Sequence, residues 1–427
     1  MHHVILGAGP AGVIAAETIR KHAPDDRITL VGDEGEPPYS RMAIPYLLIG
    51  NVKEAGTYLR KSLTHYADLR IDQVGGRATA VDAEKRTVTL DNGTTLAFDR
   101  LLIATGSHPV RPPIAGMDLP GVHPCWTLED ARAIMKLAKP GAKVLQMGAG
   151  FIGCIIMEAL AVRGVELSVV EMGDRMVPRM MGPTAGNMIR AWCEKKGVKV
   201  YTGTKVEAIE AATGGGALRV KLSGGQTVDA DLVISATGVR PAIGFLKDSG
   251  ITCLLGVLTD EHLQTNVPGV YAAGDCAEAF DKVSGKTIVS AIQPNAAEQA
   301  RVAALNMVGR TTELKGVTQI NVLDTLGLIS ASFGNWEGVP GGEHTELTDR
   351  DGGRHLSLQF KDDVLVGCNS VGWTEHVGVM RGLVEGQVKL GAWKNRLMHD
   401  PTRLMDAYLA SAQGQGQWAG AADERRR

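Results

Sequence analysis

With 427 residues, 44% hydrophobic and 22% charged, the chain has the composition of an ordinary globular protein and the length for two or three domains. A net charge of −2 gives no reason to expect nucleic acid or an anionic membrane as partner. No apolar run approaches the ~18 residues of a membrane span, and a first strand beginning near His3 leaves no room for a signal peptide, so the cytoplasm is the expected location.

The apolar run Val4-Ile5-Leu6 leads into Gly7-Ala8-Gly9-Pro10-Ala11-Gly12. Strand, glycine turn and helix in that order set the free N–H groups of a helix N-terminus against a pyrophosphate. An acid about 20 residues on should hold a ribose hydroxyl. The next strand, Ile28-Thr29-Leu30-Val31, ends in Gly32-Asp33-Glu34. The loop Gly35-Glu36-Pro37-Pro38-Tyr39-Ser40-Arg41 then leads into a predicted helix over 42–49. Short strands follow at 78–81 and 87–90, with Asp91-Asn92-Gly93 as a hairpin signal. Residues 101–103 read as a buried strand ending in Ala104-Thr105-Gly106, and five prolines from Pro109 to Pro124 mark a crossover between domains.

Beyond the crossover the layout repeats. Val144-Leu145-Gln146-Met147 runs into Gly148-Ala149-Gly150-Phe151-Ile152-Gly153, 141 positions after the first fingerprint. Leu167-Ser168-Val169-Val170 ends in Glu171, again an acid. A hairpin is predicted from 218–222 and 228–234 through Gly224-Gly225, closing in Ala236-Thr237-Gly238, which echoes Ala104-Thr105-Gly106. One fingerprint alone would also suit a plain glycine turn in an α/β domain. Two complete contexts point to two dinucleotides on one chain.

A further strand, Val270-Tyr271-Ala272, runs into Ala273-Gly274-Asp275, and a helix is predicted over 295–307. The remainder, 316–409, reads as strands at 326–333 and 356–360 and helices at 377–383 and 403–409. The Gln/Gly-rich segment 411–427, ending in three arginines, is expected to be disordered.

Six cysteines, Cys125, Cys154, Cys193, Cys253, Cys276 and Cys368, form no CxxC or CxxxxC spacing, so each reads as a small buried hydrophobe. A pair made from distant positions, such as Cys125 with Cys368, stays open. Trp336, Trp373 and Trp393 suit either core packing or an exposed patch for a redox partner. His344, His355, His376 and His399 lack metal-ligand spacing, and no metal site is expected.

These linked motifs resemble the two-dinucleotide flavoproteins of the pyridine nucleotide-disulfide oxidoreductase superfamily. That family includes rubredoxin and ferredoxin reductases, the NAD(P)H-binding part of nitrite reductases, and the disulfide reductases. The resemblance spans about residues 3 to 310. It rests on both fingerprints, both Ala-Thr-Gly strand ends, Thr265 to Asp275, and Pro294-Asn295-Ala296-Ala297-Glu298-Gln299. It implies an α/β fold with two Rossmann-like dinucleotide-binding domains, the FAD domain split by the NAD domain, plus a C-terminal α+β interface domain. The implied boundaries are 1–115 and 240–312 for FAD, 116–239 for NAD(P)H and 313–410 for the interface domain, through which a homodimer could form.

By the same resemblance FAD is held by Gly7, Gly9, Pro10, Ala11, Gly12, Asp33 or Glu34, Arg41, Ala78, Ala104, Thr105, Gly106, Gly274, Asp275, Asn295 and Ala296. The nicotinamide dinucleotide falls to Gly148, Gly150, Phe151, Ile152, Gly153, Glu171 and Gly238. Asp275 would hold the ribityl chain, although an acid there also suits a helix N-cap. Arg41 would sit near the flavin as the catalytic cation, its plain alternative being a solvated loop arginine. Glu171 favours NADH over NADPH.

Disulfide-reducing members carry a cysteine where this chain has Met42, and methionine cannot form a mixed disulfide. The implied activity is therefore electron transfer from NADH through FAD to a separate acceptor. Candidate acceptors are a rubredoxin- or ferredoxin-like protein, a nitrite-reductase component, a quinone or dioxygen. One departure is Ile155, where the family places a glutamate; the nearest acid on that helix is Glu158. This departure implies slow flavin reduction and keeps two rivals open: a flavin-binding subunit of a larger dehydrogenase complex, or a redox-sensing flavoprotein.

Overall fold

The computed structural model describes residues 1–212, 217–281, 283–317 and 319–414. It divides into two compact units, Met1–Val110 with Trp126–Leu128 and Val239–Val317, and Arg111–Cys125 with Glu129–Gly238 and Thr318–Arg427.

The first unit is built on a five-stranded parallel sheet in the order Val270–Ala272, Arg100–Ile103, His2–Leu6, Arg27–Gly32, Ile71–Gly75. Apart from the exposed edge strand Ile71–Gly75, its strands are short, mostly apolar runs because both faces are covered. One face packs against helices Pro10–His22 and Gln293–Met307, where Ala15, Ala16, Ala300, Ala303 and Ala304 let the two helices approach closely around Val13 and Ile19. Burying a side chain such as Ile19 contributes about 1.5–3 kcal/mol. The other face is covered by Val81, Val88 and Leu90 from the antiparallel sheet Ala78–Asp82, Thr87–Leu90, Thr95–Ala97, and by Phe98 just after it.

The second unit repeats this plan. Its parallel sheet runs Lys199–Tyr201, Glu166–Val170, Lys143–Met147, Leu232–Ser235, Val122–Pro124, with the fingerprint strand again central. Its antiparallel sheet is Val206–Ala211, Leu218–Leu222, Thr227–Ala230. Both antiparallel sheets carry a register shift in their first strand, at Ala78/Ala80 and at Val206/Ala208. The duplication therefore extends to irregularities.

Several expectations need correction. The strand expected over 228–234 is two strands in two different sheets, broken at Asp231. There the Asp231 carboxylate accepts the Lys143 N–H and the Asp231 N–H donates to the Lys143 carbonyl, turning the chain from the hairpin into the parallel sheet. The helix expected from Asn295 begins at Gln293.

In the third region a five-stranded antiparallel sheet forms in the order Ile320–Thr325, Leu328–Gly334, Val364–Val371, Arg354–Lys361, Glu343–Asp349. The strand expected to start at 326 starts at Leu328, because Leu326 and Gly327 take positive φ and turn the chain. Helices Val377–Glu385, Ala392–His399 and Leu404–Gly414 follow. The last runs past Ser411, where a disordered tail was expected to begin; the rest of that tail, 415–427, lies outside the described residues. Among the described residues, no helix is long and apolar enough to cross a membrane.

Candidate functional site

Each fingerprint places three glycines in three different physical situations. Gly7 and Gly148 take φ of +114° and +96°, and a Cβ on either would lie within 2.5 Å of a backbone oxygen, that of Ala104 or Ala236. Those oxygens belong to the Ala-Thr-Gly strand ends, so the motifs interlock. Gly12 and Gly153 pack their helices onto the turn; a Cβ there would lie 1.8 Å from the Gly7 oxygen or 2.5 Å from the Gly148 oxygen. Gly9 and Gly150 meet nothing within 4 Å. Two glycines per motif are thus required by the protein itself. The middle one is left free for a ligand's close approach.

The helices that begin at Pro10 and Phe151 have no side-chain cap and no acid in the first turn. The same holds for the helix Gln293–Met307. Uncapped N–H groups and the positive end of the helix dipole favour an anion at each terminus. The residues present fit two pyrophosphates.

In the first unit several of the expected flavin residues lie together. A Cβ on Gly274 would touch the methyls of Ala11 and Ala296 at 3.3 and 3.6 Å, which brings two helix N-termini together. The Gly274 N–H donates to Gln299 Oε1 (2.7 Å), and Ser40 Oγ donates to Gln293 Oε1 (2.9 Å). Asp275 accepts from Ser107 Oγ at 2.8 Å. Burial raises the pKa of its carboxyl, while the Ser107 hydrogen bond and the Arg41 charge oppose that shift. Thr105 Oγ1 donates to the Ala242 carbonyl, and Gly106 takes a φ of +68°. Asn295 donates to Ser290 Oγ at 2.6 Å.

Arg41 is tied to its neighbours, although its side chain stays 36% exposed. Its Nη2 pairs with Glu34 Oε1 at 2.6 Å, and its Nη1 donates to the Trp126 carbonyl at 2.8 Å. The guanidinium lies 5.3 Å from the Trp126 ring centroid and 5.7 Å from that of Tyr39. Tyr39 donates its hydroxyl to Glu34 Oε2, so both Glu34 oxygens are committed. Asp33 is half-exposed and paired with the exposed Arg77. Ala78 lies at the start of its strand, where the register shifts.

In the second unit Glu171 accepts N–H groups from Ala149 (2.8 Å) and Gly173 (2.7 Å), fixing its carboxylate beside the fingerprint. Gly238 takes a φ of +110°. Phe151 and Ile152 are half-buried on the first turn of the fingerprint helix. Ile155 is also half-buried, and Glu158 is spoken for: its carboxylate accepts the Leu326 N–H at 2.6 Å.

The remaining candidates are resolved by position. Met42 is exposed at 52%. All six cysteines are free thiols, five of them buried, and burial raises the thiol pKa of each of Cys125, Cys154, Cys193, Cys253 and Cys276, that of Cys125 to about 12. Cys368 is raised by burial too. Trp336, Trp373 and Trp393 are half-buried, neither core nor a bare patch, and the Arg396 and Arg403 guanidinium groups lie 4.5 and 5.2 Å from the Trp393 ring centroid. Among the described residues no cluster of His, Cys, Asp and Glu is placed to hold a metal.

Ser107, Trp126, Ser40, Gln293 and Gln299 were not assigned a role from sequence. Gln299 lies inside the Pro294–Gln299 motif and Ser40 inside the loop that ends in Arg41, whereas Gln293 falls one residue before that motif, and Ser107 and Trp126 flank the proline-rich crossover with no local signal.

Residues 1–303 match the family model of pyridine nucleotide-disulphide oxidoreductases, and the chain belongs to that family. It is 32% identical to an NADH oxidase of Methanocaldococcus jannaschii, covering 87% of this chain and 88% of that one. It is 30% identical to the epsilon subunit of the NADH-dependent phenylglyoxylate dehydrogenase of Aromatoleum evansii, covering 93% and 95%. A ferredoxin–NAD(+) reductase component of the biphenyl dioxygenase system of Paraburkholderia xenovorans is also 30% identical, over 91% and 94%.

Proposed function

We propose that the protein is an FAD-dependent NADH oxidoreductase that passes electrons to a separate acceptor, without a redox-active disulfide. The observation that carries this reading is the pair of complete dinucleotide cradles, each with an open central glycine, in a chain with Met42 at the family's cysteine position. The domain assignment follows: FAD on 1–115 and 240–312, the nicotinamide on 116–239, and an interface domain over 313–410 that would support a homodimer. The cytoplasm, where reduced nicotinamide is supplied, is the proposed location.

Bound FAD would supply hydride acceptance and electron storage. The chain's own part is placement and charge. The N-terminal N–H groups of helix Pro10–His22 would hold the pyrophosphate, Asp33 the adenine-side ribose, and Asp275 the ribityl hydroxyls. Arg41 would place a fixed positive charge at the flavin and favour its anionic reduced form, with Glu34 serving as its anchor. Glu171 would hold the ribose of NADH. The acceptor is proposed to be a small redox protein of the ferredoxin or rubredoxin kind.

A yellow protein with about one FAD per chain that reduces an artificial acceptor with NADH is the expected outcome. A colourless chain that gains no flavin absorbance with added FAD overturns the reading. Alkylating the NADH-reduced enzyme should leave this activity nearly intact, because five of the six thiols are buried and burial raises the pKa of all six. Turnover of glutathione disulfide or coenzyme A disulfide, lost on alkylation, would show that a distant cysteine pair operates.

The similarity to a dehydrogenase epsilon subunit over nearly the whole chain favours a second reading, a flavin-bearing subunit within a larger dehydrogenase complex. Stable co-purification of partner chains from the native source, with weak turnover by the isolated protein, would select it.

A further inference from the structure

We propose that Trp126 is a positioning residue of the flavin site, acting by holding Arg41 in place; this rests on the reading of the first unit as the FAD site. Trp126 belongs to a three-residue stretch, Trp126–Leu128, that groups with the first unit, while the residues on both sides, Arg111–Cys125 and Glu129–Gly238, group with the second. A short piece of the connection between units is therefore built into the Arg41 environment.

The contacts are specific. The Trp126 carbonyl accepts from Arg41 Nη1 at 2.8 Å, and its ring lies 5.3 Å from the guanidinium. The indole Nε1–H donates to the Ser107 carbonyl at 3.1 Å, which fixes the ring. Ser107 in turn donates its hydroxyl to Asp275. Glu34 and the Tyr39 ring add two further contacts to the guanidinium. A long, flexible arginine side chain otherwise samples many rotamers, and ordering it has an entropic cost. These preformed contacts lower that cost before the cofactor arrives. Trp126 thus acts through the cation: it touches Arg41 and Ser107, and Arg41 carries the charge.

The test is the two-electron midpoint potential of the bound flavin and the FAD dissociation constant in four variants. A fixed cation favours the anionic reduced flavin, so Arg41→Ala should lower the potential. Trp126→Leu should lower it in the same direction and weaken FAD binding roughly 2- to 10-fold, the size of a lost cation–π and positioning contact. Because the effect runs through Arg41, the double variant should match Arg41→Ala alone. Trp126→Phe keeps a ring over the guanidinium but loses the indole N–H, and should fall between wild type and Trp126→Leu. If Trp126→Leu fails to fold, Trp126→Phe decides.

A wild-type potential in the Trp126 variants, or shifts that add fully in the double variant, would overturn the positioning role. An unchanged potential in Arg41→Ala would instead remove Arg41 from the flavin site, and the role of Trp126 with it.

Discussion

Gly9→Ala should leave the apoprotein as stable as wild type, or slightly more so, while abolishing most of its affinity for FAD. Gly9 has a φ of −79° and a ψ of −174°, a conformation alanine adopts without strain, and its new methyl would meet nothing within 4 Å. At such a position the change even trims the entropy of the unfolded chain, by about 0.4–1 kcal/mol. In the proposed site that same open space is where a pyrophosphate would lie against the helix N-terminus. Filling it should weaken FAD binding by roughly 10- to 150-fold, the overpacking cost of about 1.4–3 kcal/mol expressed as affinity.

Gly12→Ala should behave in the opposite way. Its methyl would sit 1.8 Å from the Gly7 oxygen, a clash between two backbone elements. The cost should be at least about 2–3 kcal/mol of stability, present with or without cofactor. Thermal denaturation of deflavinated protein and FAD titration, run on both variants, separate the two effects. If Gly9→Ala binds FAD as tightly as wild type, the first fingerprint does not hold a pyrophosphate.

How much of this was readable in the sequence depends on the range over which each feature is set. The fingerprints, the acids after the second strands and the Ala-Thr-Gly ends are local strand-turn-helix signals; each fingerprint packs against its Ala-Thr-Gly end, and Glu171 also bonds to its fingerprint, whereas Asp33 and Glu34 pair elsewhere. The strand break at Asp231 was not readable, because it is imposed by pairing with Lys143, 88 residues away. In the third region the strand Glu343–Asp349 is an edge strand with little burial, so it shows no alternating apolar pattern. Val364–Val371 is buried through Gly367, Asn369 and Ser370, residues that do not announce a strand. The site shows the same division. Arg41 could be singled out from its loop motif, whereas the chain from Arg41 through Trp126 and Ser107 to Asp275 exists only in the fold.

The second nucleotide site should prefer NADH to NADPH by at least about tenfold in kcat/KM. Glu171 stands at the end of the second strand of that unit, its carboxylate braced by the Ala149 and Gly173 N–H groups. A fixed carboxylate accepts from a ribose 2′-hydroxyl and repels a 2′-phosphate. Such a like-charge contact costs on the order of 1–3 kcal/mol at an effective dielectric of about 20–40, or roughly 5- to 150-fold.

Arg175, four residues further along the chain, is the cation after Glu171 that could offset it, and the structure turns it inward. Its Nε donates to the Met181 carbonyl at 2.8 Å, its Nη1 pairs with Asp174, and its side chain is only 16% exposed. Glu171→Ala should narrow the cofactor ratio, but it also removes the brace on the fingerprint loop and should weaken both cofactors. Glu171→Gln isolates the charge, because its carbonyl oxygen still accepts one of the two N–H bonds. It should narrow the ratio with a smaller loss of NADH use. Arg175→Ala should leave the ratio unchanged. Equal use of both cofactors by the wild type, or a selective loss of NADPH turnover in Arg175→Ala, would show that the arginine swings out and that Glu171 does not set the choice.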